Sequence, residues 1–426
     1  MNKNISIDLK FGKETKKLVV SQKNVIDILK MRNIPSSQNP HKMIKGKLRT
    51  PIGAKPLTKL LLQKNPQQIV IIVSDITRPG PFNLLLEALL EEINSVEIQF
   101  AIQIIIANGT HRKMTDQEKR FHYGDFVVDN YQVSNHDCRA DDLVDMGEMK
   151  SGNRLLINRK VIEADFVITV GSINPHYFAG FSGGRKSILP GVSGYSTTRE
   201  NHSNIIYKYA RLGKLAGNKI HLEMSEAAHK VGVDFTLNMV LNRRKEIIDC
   251  VAGDIEKSFL KGIEEYKNYN SVQFSELADV IFTSTGGYPK DMSFYQSQRT
   301  LNNVIGMLKQ GGTIVISTES GEGIGQDDME KVLKSAKCVD DLFKVKKSEI
   351  QIGGHRAFAT GKLLKKADIL VLSNMPDKLV EDVHFTPIAS FEKAVRFIKK
   401  KHGQNFRSYI IPNGTMLFPV KKVSHQ

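Results

Sequence analysis

Cysteine is scarce in this 426-residue chain. Cys138, Cys250 and Cys338 are an odd number, far apart and without a CxxC pair, which excludes a zinc ribbon and a disulfide framework and suits a reducing cytosol. Long apolar runs are also lacking. The most apolar stretch, Ile98 to Ala107, is about half the length that a membrane span needs and is interrupted by glutamines. The N-terminus, MNKNISIDLKFGKETKKLVV, alternates polar and apolar residues and so has no secretory core. These features point to a cytoplasmic protein that does not enter a membrane. There are no internal repeats, no helix-turn-helix or zinc-finger spacing, and no GxGxxG turn for a dinucleotide.

Positive charge is plentiful. The formal net charge of +16 raises the question of an anionic partner, but the lysines are spread along the whole chain. Short clusters such as Lys365-Lys366 and Lys399 to Lys401 lack interleaved aromatics, so no nucleic-acid partner is expected. With 40% hydrophobic residues, the chain is long enough to bury more than one core.

The most unusual stretch is GSINPHYFAGFSGGRKSILPGVSGYSTTRENH, from Gly171 to His202. It follows an apolar run, Asp165 to Val170, and is too glycine-rich to be an inexpensive spacer, so it is expected to wrap a ligand or to form a flexible surface loop. Within it, GFSGGRKS superficially resembles a phosphate-binding loop. That motif requires glycine before its lysine, where this chain has Arg185, and Pro190 interrupts the helix that should follow.

Two other apolar runs end in polar groups. QIVIIV, Gln68 to Val73, leads into Ser74, Asp75, Ile76, Thr77, Arg78 and Pro79, then a helical run from Leu84 to Ile93. The run Ile98 to Ala107 leads into Asn108, Gly109, Thr110, His111 and Arg112. Buried strands followed by helices make βα units, whose strands turn their carboxyl ends toward a ligand crevice. Taken alone, Asp75 reads as a turn cap, Arg78 as a surface residue and His111 as a structural turn residue. Several strand ends carrying such groups shift the reading toward chemistry. Further α/β alternation follows, including a strand from Val280 to Thr285 ending in Gly286-Gly287-Tyr288-Pro289. A helix from Ser293 to Leu308 then puts Gln296 and Arg299 on one face. The expected architecture is α/β, with two α/β domains, 1–272 and 273–426, and the active site in the cleft between them.

Five blocks together resemble the nickel-dependent lactate racemase family, in its order and spacing: SDITRP at 74–79, NGTHR at 108–112, PHYFAGFSGGRKS at 175–187, RENH at 199–202, and GGYP with YQSQR between 286 and 299. Residues before about 70 and after 299 match only as generic α/β sequence. The resemblance implies a racemase or epimerase of a small-molecule 2-hydroxy acid, working by hydride removal and return through a 2-keto acid. It implies a nickel pincer nucleotide, a pyridinium mononucleotide with two sulfur-bearing arms holding the metal, and cofactor-synthesis enzymes that make it.

The same resemblance assigns the residues. Lys186 carries the cofactor covalently, His202 ligates nickel, Asp75, Ile76, Thr77 and Arg78 hold the nucleotide, His111 and His176 form the acid/base pair, and Gln296 and Arg299 bind the substrate. Imidazole suits nickel, and it titrates where a proton shuttle should. An acylated lysine must first be uncharged, which Arg185 beside it favours. Arg299 departs from the lysine of lactate-specific members, so the particular acid stays open. The other reading is a nucleotide- or phosphate-binding protein of the same fold without nickel chemistry.

Overall fold

The computed structural model describes residues 3–422 except 79, 345–346, 348–349 and 351–353, so Pro79 of the 74–79 block lies outside the described residues. The chain separates into two units, 33–269 and 1–32 with 270–426. Each is α/β.

The 33–269 unit is built on a six-stranded sheet. Its order is Ile247–Gly253, Phe235–Leu241, Phe166–Ser172, Gln68–Ser74, Ala101–Ala107 and Gln132–Asn135. All neighbours are parallel except the hairpin formed by the first two. Continuous apolar runs form the central strands because both faces are covered; every residue of Phe166–Ser172 is buried. Helix Phe82–Asn94 covers one face with Phe82, Leu85, Leu86, Leu89 and Ile93, which join Ile69, Ile71, Ile104 and Ile168 in one core. Truncating one of these, as in Leu86→Ala, would cost about 2–5 kcal/mol.

Register determines where the polar turns emerge. Ser74 pairs with Ala107, Val73 with Val170, and Ser172 with Met239, so the turns after the 68–74, 101–107 and 166–172 strands leave the same edge of the sheet. From the 68–74 strand the chain builds outward through 101–107 and 132–135, then returns to lay 166–172 on the other side. The strand order therefore reverses between 68–74 and 166–172, the place where open α/β sheets form their crevice.

The other unit holds an all-parallel sheet ordered Thr386–Pro387, Ala367–Leu372, Leu308–Ser317, Ala278–Ser284, Ser408–Ile411 and Val25–Ile28. Its last strand comes from the N-terminus. The hairpin Asn4–Phe11 and Glu14–Ser21 adds Leu9, Phe11, Leu18 and Val20 to a core with Phe282, Val315 and Ile410. The division expected near 272 therefore falls close to the 269/270 boundary, but residues 1–32 pack with the C-terminal unit instead of the 33–269 unit. Among the described residues, no helix is long and apolar enough to cross a membrane.

Candidate active site

The turn after Gln68–Ser74 carries Asp75, whose side chain is 5% exposed, with one carboxylate oxygen accepting from His111 Nδ1 over 2.7 Å. Its other oxygen accepts from Thr77 Oγ1 over 2.7 Å. Burial alone would raise the Asp75 carboxyl, but the hydrogen bond and charge of His111, with help from Thr77 and Arg78, outweigh it and hold the group below the usual carboxylate range. His111 lies in the next turn, its side chain half exposed. A carboxylate only accepts, so the bond places the His111 proton on Nδ1 and leaves Nε2 as the ring's basic nitrogen.

The segment after Phe166–Ser172 is ordered. Pro175–His176 pairs antiparallel with Gly180–Phe181, and His176 Nδ1 accepts from the Ala179 N–H over 3.3 Å. Gly180 has φ +80°, and a Cβ there would meet the Lys214 carbonyl oxygen at 2.5 Å, so this hairpin requires glycine. Gly184–Ser187 forms a 3-10 turn, pinned where the Gly184 N–H donates to the buried Asn238 Oδ1 over 3.1 Å.

Arg185 is 2% exposed and, among the described residues, has no carboxylate beside it. Its guanidinium donates to the carbonyls of Ala179, Phe181 and Gly183 and to His221 Nδ1, and lies 3.9 Å over the Phe259 ring. Burial pulls it down to about 9, and burial with the Arg185 charge takes His221 down to about 3. Half-buried Lys186 follows directly. Burial, then the charges of Arg78 and Arg185, pushes its amine well below the ordinary lysine range.

Phe178, almost wholly buried, gathers three of the expected residues. Its ring lies 4.5 Å from the His176 ring, 4.9 Å from that of His202 and 5.8 Å from the Lys186 ammonium. His202 sits in helix Tyr195–Ser203. The His111 turn is tied to the same region, because the Gly109 N–H donates to the Gly191 carbonyl and the Gly191 N–H to that of Lys186. Asp75, Thr77, Arg78, His111, His176, Lys186 and His202 thus all belong to the 33–269 unit. Ile76 is partly buried beside its core.

Gln296 and Arg299 belong to the other unit, one turn apart and exposed on helix Phe294–Val304. The GGYP loop before them is shaped by the N-terminal hairpin. Gly287 has φ +76°, a Cβ on it would lie 2.7 Å from the Gly12 carbonyl oxygen, and the Tyr288 N–H donates to that oxygen. Among the described residues, no group of three or more histidine, cysteine, aspartate or glutamate side chains is gathered to hold a metal by itself.

Sequence reasoning missed Asn238, His221 and Glu223. Asn238 and His221 secure the Lys186 turn, while Glu223 binds the amides of Asn153, Asn201 and Asn204. The one signal for Glu223 is the abundance of asparagine around His202, which pattern reading takes for loop composition.

Parallel α/β units and, among the described residues, a half-buried amine with no acidic partner place the chain in the α/β class. Family models for the lactate racemase N-terminal domain and C-terminal domain match residues 11–213 and 274–418. Lactate racemase from Thermoanaerobacterium thermosaccharolyticum is 32% identical over 98% of this chain and 100% of its own. The one from Lactiplantibacillus plantarum is 30% identical over 96% and 98%. The structure of the Thermoanaerobacterium lactate racemase apoprotein superposes with a TM-score of 0.89, covering 98% of this chain and all of that one. A Thermotoga maritima protein, 18% identical and covering 91% of this chain and all of its own, shares the fold with a TM-score of 0.62. This chain belongs to the lactate racemase family and is an isomerase. The family match reaches into the first 70 residues and well past 299, beyond the five blocks that carried the resemblance.

Proposed function

We propose that the protein racemises or epimerises a 2-hydroxy acid, with a nickel pincer nucleotide held covalently by Lys186 and ligated through the metal by His202. The side chains present fit that group. An acylated amine must begin uncharged, and Lys186 lies below the lysine range among cations that also suit a phosphate. A metal carried mainly by a cofactor's own arms asks the protein for few ligands, and one imidazole is a good donor to nickel. The turn Asp75 to Arg78 would hold the nucleotide through its backbone amides and Arg78. When bound, the cofactor supplies the acceptor and donor of the C2 hydride.

The observation that carries the proposal is that a hydrogen bond through Nδ1 holds each imidazole, His111 to Asp75 and His176 to the Ala179 N–H. His111 donates from Nδ1 to Asp75, so its Nε2 is the base; His176 accepts at Nδ1, so its neutral ring carries the proton on Nε2. In one direction neutral His111 would take the hydroxyl proton at Nε2 while His176, as the imidazolium, would give its proton to the keto oxygen. Reversing both states serves the other enantiomer, and the Asp75 carboxylate stabilises the imidazolium formed on His111. Gln296 and Arg299 would bind the substrate carboxylate, Arg299 through two parallel hydrogen bonds.

Activity should require co-production with the cofactor-synthesis enzymes. Under those conditions intact mass should reveal an adduct that Lys186→Ala abolishes, and a single enantiomer of the right 2-hydroxy acid should be converted to a mixture. No adduct in a cofactor-competent host would leave the alternative, a nucleotide- or phosphate-binding protein of this fold. The three cysteines are free, in keeping with a reducing cytoplasm as the proposed location.

A further inference from the structure

Helix Lys219–Val231 presents two side chains, two positions apart, to different parts of the site. His221 accepts from Arg185, the residue before Lys186, over 2.8 Å. Glu223 is 4% exposed, and among the described residues its carboxylate meets no lysine or arginine. Three buried amides satisfy it instead. One oxygen accepts from Asn201 at 2.9 Å and Asn153 at 3.3 Å, the other from Asn204 at 3.0 Å.

Those amides surround the His202 helix. Asn201 immediately precedes His202 and Asn204 follows two residues later, while Asn153 also donates to the Thr197 carbonyl in the same helix. Burying a carboxylate is costly, and an apolar side chain would fill the volume without that cost. What an apolar side chain lacks is direction. A carboxylate with three fixed donors allows one placement of the residues that flank His202.

We propose that Glu223 is a positioning residue for the metal ligand, and that helix Lys219–Val231 is the bracket between the Lys186 turn, held through His221, and the His202 helix, held through Glu223. The inference rests on the assignment of Lys186 to cofactor attachment and His202 to nickel. The Glu223 carboxylate is held by the three asparagines, and its effect on the metal passes through them.

The test uses protein co-produced with the cofactor-synthesis enzymes. Intact mass reports the Lys186 adduct, and elemental analysis after a chelator challenge reports nickel per adduct. Glu223→Gln keeps the size of the side chain but turns one acceptor into an NH2 group facing an asparagine NH2. The adduct should persist, while nickel affinity falls roughly 10–100-fold, as when a group orienting a metal ligand is lost. The double variant Glu223→Gln with Asn204→Asp restores a donor–acceptor pair and should recover nickel retention. If Glu223→Gln fails to fold, Asn204→Ala removes a single bond and should produce a smaller drop. Wild-type nickel retention in the single variants, or a loss that the double variant does not recover, overturns the positioning role. Absence of the adduct from wild type overturns the attachment reading and this inference with it.

Discussion

His111 and Asp75 sit on different strand ends and meet over 2.7 Å, the imidazole half exposed and the carboxylate buried. The pairing gives His111 both an orientation and a tautomer. Asp75→Asn should therefore lower turnover by roughly 10²–10⁴-fold, the range supplied by positioned acid–base catalysis, while leaving the Lys186 adduct intact. Enantiomers have equal free energy, so kcat/KM must fall equally in both directions for a racemase. Turnover assayed from each enantiomer tests this, and an undiminished Asp75→Asn variant would refute the acid/base role.

The depressed Asp75 carboxyl also has a stability consequence. A group whose folded value lies below its unfolded value contributes stability that is fully present above the unfolded value, near ~4, and lost as pH falls through the folded one. Below about pH 4, the thermal midpoint of wild type should fall more steeply than that of Asp75→Asn. Parallel curves would mean that His111 gives Asp75 no net help.

Lys186 carries the opposite sign. Its amine is driven below the lysine range by burial and then by Arg78 and Arg185, so between the folded and unfolded values the unfolded chain binds the extra proton and stability rises with pH. Before cofactor attachment, Lys186→Met should therefore raise the thermal midpoint at pH 7. A gain of roughly 2–4 °C corresponds to about 1 kcal/mol in a unit of this size. The gain should shrink as pH approaches 10, which calorimetry across that range would show. A variant no more stable than wild type at pH 7 would mean that the site does not penalise the ammonium.

Close packing behind the Lys186 turn makes a separate prediction. A Cβ on Gly191 would lie 2.1 Å from the Ser187 carbonyl oxygen and 2.8 Å from Ala107 Cβ, neither of which can swing away. Gly191→Ala should cost about 1–3 kcal/mol or more by overpacking and reduce the fraction of chains carrying the adduct. Denaturant unfolding and intact mass measure the two effects. Full stability with full attachment would mean that the turn is more pliable than this contact implies.

The parts of this arrangement that were legible in the sequence are those written in local pattern. QIVIIV, AIQIIIA and FVITVG are mostly apolar because parallel strands are covered on both faces, and the polar turn after each is where ligand chemistry gathers. The strand Val25–Ile28 was not legible: four residues with a central aspartate carry little periodic signal, and its pairing with Ser408–Ile411 is chosen by contacts across nearly the whole chain. Arg185 reads only as a cation beside Lys186, and no spacing rule joins it to the three carbonyls and the aromatic ring that enclose it. Glu223 is hidden similarly, since its three asparagines lie from 19 to 70 residues away and no spacing rule joins them.

Arg299 decides the question that the fold leaves open, which acid is the substrate. It shares the exposed face of helix Phe294–Val304 with Gln296, one turn away. A guanidinium can grip a carboxylate with two parallel hydrogen bonds, and lysine at the same place keeps the charge but loses one prong and the planar geometry. Arg299→Lys should weaken binding of the native substrate by about 1.5–3 kcal/mol, the range for a hydrogen bond to a charged group. The adduct and nickel content should not change, because neither depends on this side chain. Wild type and variant should be screened against D- and L-2-hydroxy acids, including lactate, malate, aryl-lactates and aldonates. The acid whose KM rises in the variant while the adduct stays constant identifies the substrate that Arg299 holds. An unchanged profile for every acid would remove Arg299 from the substrate site and leave Arg78 as the cation to test next.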